Sequence, residues 1–203
     1  MRVIAGTYKS RILKSLKGLA LRPTSDRLRE TLFNVLAPNI AGSRFVDLFA
    51  GTGAIGIEAL SRGAAEVVFI ENHAPAATLI RRNLESLGIN TGVTVLAVDA
   101  LRGLAMLAAR KNSGIPAFDH IFLDPPYAAA EDYYRVLEFL GSADLLAPGG
   151  MAVAEHRRNF DLPEDPGALK RFRVLRQGDA GLSFYRRQGE AALEPGDENN
   201  SAE

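Results

Sequence analysis

The chain of 203 residues reads as one α/β domain built on a mostly parallel sheet and finished by an antiparallel hairpin. Three observations predict this. From residue 44 onward, short apolar runs alternate with stretches whose apolar residues recur at helical spacing, as in a parallel sheet covered on both faces. A glycine-rich turn, Gly51-Thr52-Gly53, follows the first of those runs and precedes a helix. The last two strand-like runs are separated only by Gln177-Gly178-Asp179-Ala180-Gly181, too short for a helix and suited to a hairpin.

Residues 1–22 alternate apolar and polar (Val3, Ile4, Ile12, Leu13, Leu16, Leu19, Leu21) and predict a β-hairpin extension. Pro23-Thr24-Ser25-Asp26 marks a turn and a helix start; Leu28, Leu32, Val35 and Leu36 continue at helical spacing, and Pro38 should close the helix. The domain from 23 to 187 then proceeds as strand Phe45–Leu48, helix Ala54–Arg62, strand Glu66–Ile70, helix Ala74–Leu87 and strand Val93–Val98. Helix Leu101–Arg110, strand Phe118–Leu123 and helix Tyr133–Leu140 follow. Pro148-Gly149-Gly150 should turn the chain into the strand Met151–Glu155. Lys170–Arg176 and Leu182–Arg187 form the closing hairpin. Residues 188–203 are acidic and poor in apolar side chains, the composition of a disordered tail.

Composition narrows the chemistry. There is no cysteine, so disulfides, thiolate metal sites and a cysteine nucleophile are excluded. His73, His120 and His156 are scattered without ligand spacing, and no metal is expected. No apolar run is long enough to span a membrane, and the N-terminus lacks a signal-peptide core; a cytoplasmic protein is the simplest reading. The net charge of zero conceals segregation. Residues 1–44 carry nine basic and two acidic residues, residues 45–155 seven and thirteen, residues 156–187 eight and four, and the rest five acids alone. Two basic segments flank an acidic centre, and the first suits a phosphate backbone.

The acids fall at strand ends. Gly51-Thr52-Gly53 lets a ligand approach the backbone at the carboxyl edge of the sheet, where open α/β sheets bind ligands. Glu71, ending the second strand, can accept both ribose hydroxyls of an adenosine. Asp47 stands where a pyrophosphate is disfavoured and an ammonium is favoured. Asp99, with Ala100 after it, ends the third strand and can accept adenine amino hydrogens. Asp124 ends the fourth. So acidic a crevice suits a sulfonium with an ammonium, and therefore S-adenosylmethionine rather than NAD. Asp124-Pro125-Pro126-Tyr127 leaves the sheet as a stiff extended turn. Its carboxylate and carbonyls can accept the hydrogens of an exocyclic amine while Tyr127 stacks on the base. The tetrapeptide by itself does not choose between guanine and adenine.

Asp47-Leu48-Phe49-Ala50-Gly51-Thr52-Gly53 resembles the first motif of class I S-adenosylmethionine methyltransferases, and Asp124 to Tyr127 their amino-methylating motif. Arg22-Pro23-Thr24-Ser25-Asp26-Arg27-Leu28-Arg29-Glu30-Thr31-Leu32-Phe33-Asn34, with Arg2-Val3-Ile4-Ala5-Gly6, resembles the RsmD family. Those are the bacterial 16S rRNA guanine-N2 methyltransferases acting on guanine 966. The similarity runs from Met1 to about Arg187. It implies a Rossmann-like class I methyltransferase fold, a donor site at Asp47, Ala50, Gly51, Thr52, Gly53, Glu71, Asp99 and Ala100, and catalysis at Asp124, Pro125, Pro126 and Tyr127. It also implies RNA contacts at Arg2, Lys9, Arg11, Lys14, Arg22, Thr24, Asp26 and Arg27, and a monomer acting on 16S rRNA in an assembling small subunit. Ser10 stands where the family resemblance implies a glycine, and Asn72-His73 is looser than usual. The alternatives are a DNA adenine-N6 methyltransferase and a noncatalytic RNA-binding protein.

Overall fold

The computed structural model describes residues 1–15, 25–112, 114, 116–126 and 129–189. Its elements in chain order are α1 (Asp26–Ile40), β1 (Arg44–Leu48), α2 (Ala54–Ser61), β2 (Glu66–Ile70), α3 (Ala74–Ser86) and β3 (Val93–Leu96). Then come α4 (Ala100–Asn112), β4 (Phe118–Leu123), α5 (Ala130–Ser142), β5 (Leu146–Arg157), β6 (Leu169–Gln177) and β7 (Ala180–Arg187). The seven strands form one sheet in the order β3-β2-β1-β4-β5-β7-β6. The first five are parallel, and β7 runs antiparallel to both β5 and β6.

Alternation along the strands builds a core on each face. Phe45, Val67, Phe69, Phe122, Val153, Leu182 and Phe184 point one way, into α1, α2, α3 and the N-terminal segment. Val46, Leu48, Val68, Ile121, Leu123, Ala152 and Tyr185 point the other way, into α4 and α5. The central strands are mostly apolar because both of their faces are covered, with Asp47 in β1 and Asp119 and His120 in β4 among the polar residues they carry.

Several boundaries differ from those expected. Pro38 lies inside the last turn of α1 rather than closing it. The carbonyl its ring leaves unpaired belongs to exposed Asn34 and can meet water, while buried Ile40 anchors the end. Strand β5 begins at Leu146 and runs through Pro148-Gly149-Gly150. There the register against β4 shifts between Phe118 and His120. A side chain at Gly150 would lie 2.8 Å from the Ala147 carbonyl oxygen, so the glycines carry a bulge instead of a turn. The closing hairpin turns on Gly178 and Asp179 alone, since Gln177 already pairs with Ala180.

The expected N-terminal hairpin is reduced, among the described residues, to one antiparallel bridge between Arg2 and Ile12. The amides that would have extended the ladder are bonded to α2 instead. Ile4 and Ala5 donate to the Glu58 carboxylate at 2.7 and 3.0 Å. Thr7 donates to the Ser61 carbonyl at 2.8 Å and Tyr8 to the Ser61 hydroxyl at 2.9 Å. Val3 and Leu13 are buried in the same core as α1 and α2. The outer part of the expected hairpin, from residue 16 to residue 22, lies outside the described residues, as does the tail from residue 190.

Candidate active site

The carboxyl edge of the sheet centres on β1 and β4. After β1 the backbone turns through Phe49 and Gly51, both at positive φ (58° and 54°), then Gly53 at 78°. The turn is closed by a Gly53 amide to Ala50 carbonyl bond of 2.7 Å. Phe49 reaches this left-handed region without a glycine's freedom, a strain of order 1–3 kcal/mol of the kind that clusters at ligand sites.

Around this turn Asp47 comes together with Glu71 and Asp124. Asp47 is buried, and one of its oxygens accepts the Gly56 amide of α2 at 2.9 Å. Glu71 is buried just past β2 and accepts the amides of Gly51 and His73, each at 2.8 Å. Each carboxylate oxygen keeps a second lone pair, so these bonds orient the group without exhausting it. Asp99 does not end the third strand, which stops at Leu96; it is exposed in the loop that follows and caps α4 through the Arg102 amide at 2.9 Å, one oxygen serving the helix. Ala100 is buried as the first residue of that helix. Asp124 follows β4 with buried Pro125 and exposed Pro126 after it. Tyr127 lies outside the described residues.

A further acid, Glu155 near the end of β5, joins the group; the sequence ended that strand on it but assigned it no role. Asp47, Asp124 and Glu155 each stand two residues beyond a side chain of the first core (Phe45, Phe122, Val153), so alternation places them on one face. Burial raises the Asp47 pKa to about 8, opposed by the Gly56 amide and helped by the charge of Glu71. Burial likewise pushes Asp124 well above the usual carboxylate range, and the charges of Glu155 and Asp47 add to it. Among the described residues, no lysine or arginine forms an ion pair with Asp47, Glu71, Asp99 or Asp124. Asp47, Glu71 and Asp124, clustered without a cation, fit a positively charged ligand, and an adenosine bearing a sulfonium and an ammonium matches this donor set. A pyrophosphate would face only repulsion. A separate groove of about 450 Å³, lined by Arg81, Leu84, Ile89, Val93 and Val95, contains none of these acids.

The expected RNA contacts divide. Arg2, Lys9, Arg11 and Lys14 are all exposed. Lys14 is tied to the glycine turn through Asn83, which accepts the Lys14 amide at 2.9 Å and donates to the Thr52 carbonyl at 3.0 Å. Lys9 belongs to the tip that docks on Ser61, about 12 Å along α2 from the turn at 1.5 Å per residue. Asp26 and Arg27 occupy the first turn of α1 and are exposed. Arg22 and Thr24 lie outside the described residues. Arg29, counted by sequence among the surface cations, is fully buried. It bonds Asp26 at 2.9 Å and the Arg2 carbonyl, and faces Glu58 at 3.9 Å. Glu58 and Asn83 went unremarked in the sequence because each, taken singly, reads as a solvated helix residue.

A seven-stranded sheet of this order, with a glycine turn after its first strand and an antiparallel closing pair, is the Rossmann-like α/β sheet of the class I methyltransferases. The family described as Conserved hypothetical protein 95 matches residues 1–186, and the chain belongs to it; this is the RsmD family. YlbH of Bacillus subtilis is 39% identical over 93% of this chain and 100% of its own length. Ribosomal RNA small subunit methyltransferase D of Escherichia coli K12 is 33% identical over 94% of this chain and 91% of its own. Among solved structures, yhhF of Escherichia coli superposes with a TM-score of 0.77 at 32% identity, covering 92% of this chain and 97% of that one.

Proposed function

We propose that the chain transfers a methyl group from S-adenosylmethionine to the exocyclic N2 amine of guanine 966 in 16S rRNA, within the assembling small ribosomal subunit. The observation that carries this reading is Asp124. It is a carboxylate with a raised pKa beside Asp47 and Glu155, followed by two prolines, in a family with relatives named for small-subunit rRNA methylation.

When bound, S-adenosylmethionine supplies a methyl group already activated by its sulfonium, so the protein's part is alignment and electrostatics. Glu71 receives the ribose hydroxyls on the lone pairs that Gly51 and His73 leave open. Asp47 draws the ammonium, and Asp99 the adenine amine. The guanine amine is a poor nucleophile because its lone pair is delocalised into the ring. Asp124 and the Pro125 carbonyl accept its two hydrogens, drawing the nitrogen toward a tetrahedral shape and aiming the lone pair. Asp124 must be ionised to do so, and a cation in the crevice opposes the burial that raises its pKa. Tyr127 is assigned to stack on the base, which must be unpaired or flipped out to arrive.

The test supplies labelled donor to small subunits lacking the modification and maps the methylated nucleotide by mass spectrometry. Label on the guanine N2 is the expected result; label on an adenine or on protein overturns the reading. Asp124→Ala should lower transfer at least about a hundredfold while donor affinity, measured by calorimetry, changes little. Lost donor binding would remove Asp124 from the role of amine acceptor.

A further inference from the structure

The second basic segment of the sequence, residues 156–187, has no place in the reading above. It contains the end of β5 and the whole β6–β7 hairpin, on the opposite side of the crevice from the N-terminal segment that rides on α2 and α3. Its cations fall into two groups. Arg171 pairs with Asp161 and Glu164 at 3.4 and 3.1 Å, and Arg187 with Asp144. Arg173 and Arg176 are exposed on the free edge strand β6, where three positions of regular pairing set them on opposite faces, and among the described residues neither forms an ion pair. Arg158 is exposed in the loop after β5, its guanidinium donating to the Gly178 carbonyl at 3.3 Å, so it joins the same end of the hairpin. Phe172, 38% exposed, bulges out beside Arg173 with the Arg186 guanidinium 4.0 Å over its ring.

Register ties this surface to the crevice. Leu123 pairs with Ala154, Ala154 with Ser183, and Ser183 with Val174. Arg176 therefore stands two residues beyond that row toward the carboxyl edge, three strand spacings from β4, or about 14 Å at 4.8 Å each. A base held at Asp124 would place its neighbouring phosphates within that range.

We propose that Arg158 and Arg176, at the turn end of the β6–β7 hairpin, form a second phosphate-binding surface. It would grip the RNA backbone on the β5–β6 side of the target nucleotide while Arg2, Arg11 and Lys14 act on the other side. The inference rests on RNA being the substrate. Charged side chains on an edge strand also discourage sheet-to-sheet association; Arg158, which is not on the edge, is unexplained by that role.

The test compares wild type with R158Q/R176Q and with R158K/R176K, using a 16S rRNA fragment containing the target and a salt titration. Neutralising two contacts to a single strand should lower the slope of log affinity against log salt by about 1.4. Binding at 0.1 M salt should fall about 25-fold relative to wild type, converging near 1 M. The lysine variant should keep the slope, and donor affinity and melting temperature should hold in both variants. An unchanged slope in the glutamine variant, with wild type still methylating the RNA, overturns this surface alone. A wild type that fails to methylate small-subunit RNA overturns the functional reading instead. Aggregation of the glutamine variant with unchanged RNA affinity would assign these cations to edge protection and also overturn the proposal.

Discussion

Ser10 holds a φ of 66°, a left-handed conformation that costs an L-residue roughly 1–2 kcal/mol. It is the position where the family resemblance implies a glycine, so the sequence flagged the place and the structure supplies the reason. The tip must reverse direction there while the Ser10 amide donates to the Val3 carbonyl at 2.9 Å. Ser10→Gly should stabilise the protein by about 0.5–1 kcal/mol, part of the relief being lost to the greater freedom of glycine in the unfolded chain. That corresponds to a rise of about 1–4 °C in Tm; a fall would mean that the serine side chain contributes more than its backbone costs. Gly6 shows the reverse situation. A Cβ there would sit 1.7 Å from the Ser61 carbonyl oxygen, so nothing but glycine allows the segment to lie on α2.

At the scale of elements, the N-terminal segment is an integral part of the domain, fastened by Ser61, Asn83 and Arg29 and by one buried carboxylate. Glu58 is fully buried. It accepts from Ile4, Ala5 and the Arg62 guanidinium, and opposes buried Arg29. Burial lowers the Arg29 pKa while the charges of Glu58 and Asp26 hold it up. Glu58→Gln leaves Arg29 with the half-exposed Asp26 as its remaining opposing charge and should cost about 3 kcal/mol. It should also deprotect the Ile4 and Ala5 amides in hydrogen exchange beyond the global change. Replacing Arg29 and Glu58 together with apolar residues should recover much of the stability but not those two amides. Retained protection in the single variant would show that packing of Val3 and Leu13 suffices to hold the segment. None of this was legible in sequence. Glu58 and Arg29 are nearly thirty positions apart, and each carries an ordinary helix-surface residue type.

For the molecule as a whole, the acid cluster predicts an unusual pH response. The Asp47 pKa is raised from 3.8 to about 8, so between those values the folded state binds more protons than the unfolded state. Stability then falls as pH rises through that window, and Asp124 acts in the same direction. His120 and His156 are held below 6.5 by burial and have the opposite slope up to that pH. The Asp47 contribution is therefore isolated by comparison with Asp47→Asn. Thermal melts from pH 5 to 8 should show the wild type losing more stability than the variant, and bound donor should remove most of the difference. Equal slopes in the two proteins would mean that Asp47 is ionised throughout.

Apolar periodicity, the glycine turn and the positions of Asp47, Glu71 and Asp124 were determined by sequence alone, because alternation and turn chemistry are local and these strands end where their apolar runs end; β3 stops at Leu96, short of Asp99. The same locality explains the misplaced starts and stops. Pro38 and Pro148-Gly149-Gly150 are local breakers that tertiary packing overrode, through the burial of Ile40 in one case and the pairing of Leu146 with Phe118 in the other. What only the tertiary structure decided is which charges meet. It brought Glu155 to Asp47 and Asp124, withdrew Arg29 into the core, and set two basic segments from opposite ends of the chain on opposite sides of one acidic crevice. Burial and long-range pairing set those relationships, and no window of neighbouring residues contains them.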